Sequence, residues 1–174
     1  MTATEGAVLA LLAIEGERSG YDLLARVSKA IAHVWSPAKT QLYAVLPRLE
    51  REGLARGRLV AQANRPDKRL YRITKEGRRV LREWLEEVVP DDAQLFYLKA
   101  FLGGLMDRDA LIEQYEQFAR EQQARLDELR AIEPTNTRRG HDYHHYFLLR
   151  LGIERAEHSV RWARRVLREL REAP

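Results

Sequence analysis

With 174 residues the chain has room for one domain or two small ones, and its 45% of hydrophobic residues suffices for a packed core, which excludes wholesale disorder. It has no cysteine, so disulfides, thiolate metal sites and cysteine nucleophiles are excluded together. The formal charge of +4 excludes little by itself.

The distribution of charge is more informative. Residues 1–90 hold 16 Lys/Arg against 11 Asp/Glu, whereas residues 91–174 hold 14 against 15. Within 38–82 the balance is 13 to 4. A cationic excess gathered in one short segment is the electrostatic footprint of a polyanion-binding face, with a solvated arginine-rich surface as the plainer alternative.

In chain order, EGAVLALLAIE (5–15) predicts a largely buried first helix, with Thr2 or Thr4 as N-cap and Gly16 at its end. This apolar run lacks a basic leader and is too short to span a bilayer, so a soluble cytoplasmic protein with no membrane partner is expected. In residues 17–35, Leu23, Leu24, Val27, Ile31, Val34 and Trp35 recur at helical steps and predict a second helix starting at Ser19 or Gly20. Ser36-Pro37 stops it, because proline drives the preceding residue out of the helical region.

KTQLYAVLPRLEREGL predicts a third helix with Leu42, Val45, Leu46 and Leu49 inward and Gly53 past its end, either kinked at Pro47 or starting late enough to tolerate the proline. Next, LARGRLVAQ (54–62) and RLYRITKEG (69–77) are short β-compatible runs, and the ANRPDKR between them is turn chemistry. They predict a β-hairpin with a basic tip, turned by Arg65-Pro66-Asp67, with Leu70, Tyr71 and Ile73 returning to the core. Thr74 caps a fourth helix with Val80, Leu81, Trp84, Leu85 and Val88 on its apolar side and Arg78, Arg79 and Arg82 on its wet face.

Pro90-Asp91-Asp92 marks a boundary. Beyond it only helices are predicted: 93–106, weakened by Gly103-Gly104; 110–133, with Leu111, Tyr115, Phe118, Leu126 and Leu129 on one side; and 141–170, as one helix or two bent near Gly152. Residues 134–140 read as a loop.

Helix, helix, tight break, helix and hairpin is the order of a winged helix-turn-helix, whose third helix enters the major groove while the hairpin flanks it. The first turn of helix three offers Lys39, Thr40 and Gln41, with Tyr43 behind them. Glutamine can pair bidentately with adenine, and lysine or a tyrosine hydroxyl can meet phosphate. On the hairpin, Arg65, Lys68 and Arg69 stand where a sugar-phosphate chain would run. Tyr21, by contrast, reads as a buried ring with a bonded hydroxyl.

SGYDLL, QLYAVLPRLEREGL and RPDKRLYRITKEGRRVLREWL, 41 residues in order, resemble the PadR-like transcriptional regulators. The helical second half looks like the C-terminal domain of that family's branch with small effectors. The resemblance implies a mainly α fold with a small β-hairpin: a DNA-binding winged helix-turn-helix over 1–89 and a helical dimerisation and effector domain over 90–174. It also implies a homodimeric repressor on a palindromic operator in double-stranded DNA, released by a small aromatic effector. Tyr43 falls on the family's helix-three tyrosine, and Lys68 and Arg69 fall on the wing. Aromatics from Trp35 to Trp162 are numerous enough to line an effector pocket, with no residue set assignable.

Other chemistry finds less support. His141 and His145 stand four apart on a helix, a usable ligand spacing, but no third ligand accompanies them, so no metal is expected. There is no nucleophile with a base and no phosphate loop, so neither catalysis nor a cofactor is expected. The rival function is a winged helix used for protein–protein docking without an operator.

Overall fold

The computed structural model describes residues 1–30, 35, 37–61, 67–132 and 143–172. Ile31, Val34, Ser36, Arg65, Pro66, His141 and the loop 134–140 lie outside the described residues. The chain forms two compact units, residues 1–87 with 94–107, and residues 88–93 with 108–174.

The first unit begins with α1 (Ala3–Glu15). Of the two candidate threonines Thr2 is the cap: its hydroxyl accepts the Glu5 N–H at 3.3 Å, and the Glu5 carboxylate accepts the Thr2 N–H at 2.7 Å. This reciprocal capping box satisfies two helix-end donors at once. Ala7 to Leu12 are almost completely buried, as an apolar run with no wet face requires.

β1 (Arg18–Ser19), α2 (Gly20–Ala30) and α3 (Lys39–Arg51) follow. Leu23 and Val27 of α2 meet Leu42, Leu46 and Leu49 of α3 in one core with α1. Pro47 lies inside α3, which continues for another turn to Arg51. After Arg51 the chain closes as a Schellman motif, with the Leu54 N–H on the Leu49 carbonyl at 2.8 Å and the Gly53 N–H on Glu50 at 3.1 Å. The motif needs a left-handed residue, and Gly53 has φ of 73°.

β2 (Ala55–Val60) and β3 (Lys68–Ile73) form the expected hairpin, with Ala55 opposite Ile73 and Val60 opposite Lys68. β1 pairs with the other edge of β3, placing Arg18 opposite Tyr71, so the sheet has three strands in the order β1-β3-β2. The two-residue β1 has no alternation of its own, which is why only a hairpin was legible. The pleat turns Ala55, Tyr71 and Ile73 into the core and leaves Arg56, Arg58 and Arg72 exposed on the opposite face. Leu70 departs from expectation: it shares that opposite face and is only half-buried.

Thr74 caps α4 (Lys75–Glu86), accepting the Gly77 N–H at 2.9 Å and donating to the Gly53 carbonyl at 2.7 Å. Arg78, Arg79 and Arg82 lie on its exposed face, as expected. α5 (Ala93–Phe101), although beyond Pro90, places Leu98 and Leu102 in the core of the first unit. Its Lys99 is fully buried, with Nζ donating to the Glu87 carbonyl and lying 5.1 Å from the Trp84 ring centre. Burial lowers the Lys99 pKa, and these two contacts supply what water would have given the charge.

The second unit pairs α6 (Arg108–Ile132) with α7 (Tyr143–Glu172). The helices run antiparallel, since Arg171 bonds Glu116 while Arg130 bonds Glu157. Trp162 packs on Tyr115 and Phe118, and Ile153 and Ala156 cluster with Leu126. α7 is one helix through Gly152, which resolves the two open alternatives. Among the described residues no helix is long and apolar enough to cross a membrane.

Candidate nucleic-acid interface

Lys39, Thr40 and Gln41 are exposed in the first turn of α3, whose start carries no side-chain cap. The inward stripe of Leu42, Val45, Leu46 and Leu49 holds the opposite side of the helix against the core and sets this orientation. Tyr43 is 42% exposed, with its ring against Gly20 at the start of α2. Lys39 has no ionic partner among the described residues.

The hairpin approaches the same region from the other side, and both of its described sequence-predicted cations are held by carboxylates. Lys68 Nζ is 2.8 Å from Asp22 Oδ2, which also accepts the Ser19 hydroxyl at 2.8 Å and the Ser19 N–H at 3.2 Å. The hydrogen bond from Lys68 holds the Asp22 carboxyl below its ordinary range against a smaller opposing effect of burial, with Ser19 adding to the lowering. Arg69 donates from Nη2 to both Glu50 oxygens, at 2.7 and 2.8 Å, and its guanidinium lies 5.9 Å from the Tyr71 ring centre.

Glu50 also accepts the Gly57 N–H at 3.2 Å. The residue at 57 has to be small: a Cβ there would come within 2.7 Å of Glu50 Oε1 and 2.8 Å of Arg69 Nε. Glu50 therefore binds both hairpin strands to the last turn of α3. Arg48, two residues earlier, pairs with Glu5 of α1. The helix and the hairpin are thus fixed to each other and to the core through three carboxylates.

Between them lies a groove of about 830 Å³, lined by Tyr21, Tyr43, Tyr71, Leu46, Lys68 and Arg69, with Asp22 and Asp67 at its margins. Tyr21 is a correction. It is 71% exposed, because the first turn of α2 points into the groove and the buried stripe of the helix begins only at Leu23. Sequence reading missed it as a site residue; its place beside Gly20, next to β1, is the signal that a three-stranded sheet would have supplied. Of the seven sequence-picked residues, Tyr43, Lys68 and Arg69 line this groove, and Lys39, Thr40 and Gln41 are exposed on the first turn of α3. Arg65 lies outside the described residues.

Hydroxyl and amide donors on a helix start, aromatic faces beside it and cations on a flanking hairpin suit a phosphate-bearing ligand with readable edges. A family model described as the transcriptional regulator PadR-like family matches residues 8–83, the stretch that contains α3 and the hairpin. Residues 8–83 therefore form a PadR-like domain, of a family of transcriptional regulators and not of enzymes. A second model, described as virulence activator alpha C-term, matches residues 95–171.

Among curated relatives, the chain is 28% identical to the negative transcriptional regulator PadR of Bacillus subtilis, over 96% of its own length and 97% of the relative's. Among solved structures it is similar to Bacillus subtilis PadR in complex with operator DNA, at 26% identity and a TM-score of 0.46, covering 95% and 98% of the two chains. Bacillus subtilis PadR in complex with p-coumaric acid is similar at 25% identity and a TM-score of 0.44, covering 98% and 96%.

Proposed function

We propose that this chain is a cytoplasmic, dimeric repressor that binds a palindromic operator and leaves it when a small aromatic molecule binds. The observation that carries the reading is the grouping of Tyr43, Lys68 and Arg69 around one groove beside the exposed first turn of α3, in a chain with a PadR-like domain. The Bacillus subtilis relative, a negative regulator crystallised with operator DNA and with p-coumaric acid, supports the choice of partners.

In this reading α3 enters the major groove. Gln41 meets a base edge, Lys39 and Thr40 meet base or phosphate, and Tyr43, Lys68, Arg69 and Arg65 meet the backbone. Lys68 and Arg69 exchange Asp22 and Glu50 for phosphate, or share themselves between the two. Residues 1–89 carry this contact and residues 90–174 the dimer seam, to which α7 offers the exposed Leu148 and Leu151. The effector's binding residues are not assigned.

The test is a salt series with a fluorescent duplex from upstream of the protein's own gene. Phosphate-driven binding loses affinity with a log–log slope of about −0.9 for each phosphate neutralised. Binding that is absent, or indifferent to salt, would sink the reading.

A further inference from the structure

The groove leaves three arginines unused. Arg56, Arg58 and Arg72 project from the sheet face opposite Tyr71 and Ile73, and all three are exposed. Arg56 and Arg72 are direct cross-strand partners. Like charges held opposite each other destabilise a sheet, so their pairing needs another reason.

The available carboxylate does not balance them. Glu17 is committed to Arg58, accepting at 2.9 Å from Nε and 2.5 Å from Nη2. Arg56 has no ionic partner among the described residues. Together Glu17, Arg56, Arg58, Arg72 and Thr74 border a concavity of about 720 Å³ with a net charge of +2, from three arginines and one glutamate. Guanidinium groups held in pairs match phosphate oxygens bidentately.

We infer that this outer face of the wing is a second DNA contact, in which Arg56 and Arg72 grip the phosphodiester backbone flanking the operator half-site. The inference rests on the DNA-binding reading above. The face is continuous with Lys68 on the same strand, so the flanking contact extends the proposed wing contact and does not compete with it. The contact carries no sequence information. It lengthens the footprint and raises affinity for duplex of any flanking sequence.

The experiment uses the full chain and two duplexes with the same central site, one ending at the footprint edge and one carrying a further helical turn on each side. Wild type gains affinity on the longer duplex. Arg56→Ala with Arg72→Ala binds the short duplex like wild type, loses a gain on the order of tenfold on the long one, and shows a salt slope shallower there by about 1.8, two phosphates' worth. Arg56→Lys with Arg72→Lys keeps most of the gain. The alanine variant melts at or above the wild-type temperature, because it relieves a like-charge pair; a lower melting temperature would mark the arginines as structural and overturn the inference. Equal wild-type affinity for both lengths also overturns it and leaves the face to an acidic protein. So does an alanine variant that keeps the full gain. In either case the DNA-binding reading survives, whereas wild-type protein that binds no duplex removes both.

Discussion

Glu50 and Arg69 join the recognition helix to the wing: the guanidinium donates to both carboxylate oxygens across 19 residues of sequence, while the same carboxylate accepts the backbone N–H of Gly57. Attraction to Glu50 keeps the Arg69 pKa above its usual value. The protein therefore holds its wing in place with a cation that the proposed function also assigns to DNA, and in that reading intramolecular carboxylate and intermolecular phosphate compete for one group.

Glu50→Gln keeps the shape and removes the charge. Arg69 is released, affinity for duplexes of any sequence rises several-fold, and the salt slope steepens by about 0.9, one added phosphate. Anisotropy titrations across a salt series read both quantities. An unchanged slope would mean that Arg69 does not meet phosphate.

Gln41→Ala acts differently, because an amide can read a base edge. It weakens binding to the preferred site by about 1–3 kcal/mol and levels the preference for adenine at one position of each half-site. A panel of single-base operator variants measures this. A uniform loss across the panel would move Gln41 to the backbone.

The Asp22–Lys68 pair predicts a pH effect. The hydrogen bond from Lys68 depresses the folded-state pKa of Asp22 below 3.8, so the pair's contribution is complete above that value and is lost as pH falls through the folded pKa. Below pH about 4 the wild-type melting temperature should fall faster than that of Asp22→Asn, and the two should run parallel above it. Parallel curves throughout would show that the pair adds nothing to stability.

Glu5 caps α1 and pairs with Arg48 of α3. Burial opposes its ionisation, but hydrogen bonds from Thr2 and the Arg48 charge outweigh burial and hold its pKa below the usual value. Glu5→Ala removes both contacts and leaves the already unpartnered, buried Arg48 Nε without a charge nearby. The cost is about 1–2 kcal/mol, discounted for the exposed end of Arg48. Thermal melting checks it, with loss of operator affinity as the companion, since α3 is anchored through this pair.

Leu148 and Leu151 are 69% and 50% exposed on α7. Leu148→Glu with Leu151→Glu places two charges where the proposed dimer seam is dry, so sedimentation should show monomers, and affinity for a full palindrome should drop to that for a half-site. A variant that stays dimeric would relocate the seam.

Local chemistry made much of this molecule legible from its residues. Thr2, Gly53 and Thr74 end their helices through bonds made within a few positions, the residue types of ANRPD favour a turn, and the helical stripes of α3 and α4 state which side is wet. The cationic excess over 38–82 announced the polyanion. What the tertiary structure decided depends on groups distant in sequence. β1 is a strand only because β3 offers an edge to it, and Tyr21 is exposed only because the hairpin returns beside α2 and leaves a groove there. α5 joins the first core because Leu98, Leu102 and Lys99 find neighbours there, across a boundary that Pro90 seemed to draw by composition alone. Residue types and spacing named the wing cations, but their partners, Asp22 and Glu50, are brought to them only by closure of the sheet, since a charge carries no local pattern that says which distant carboxylate it will meet.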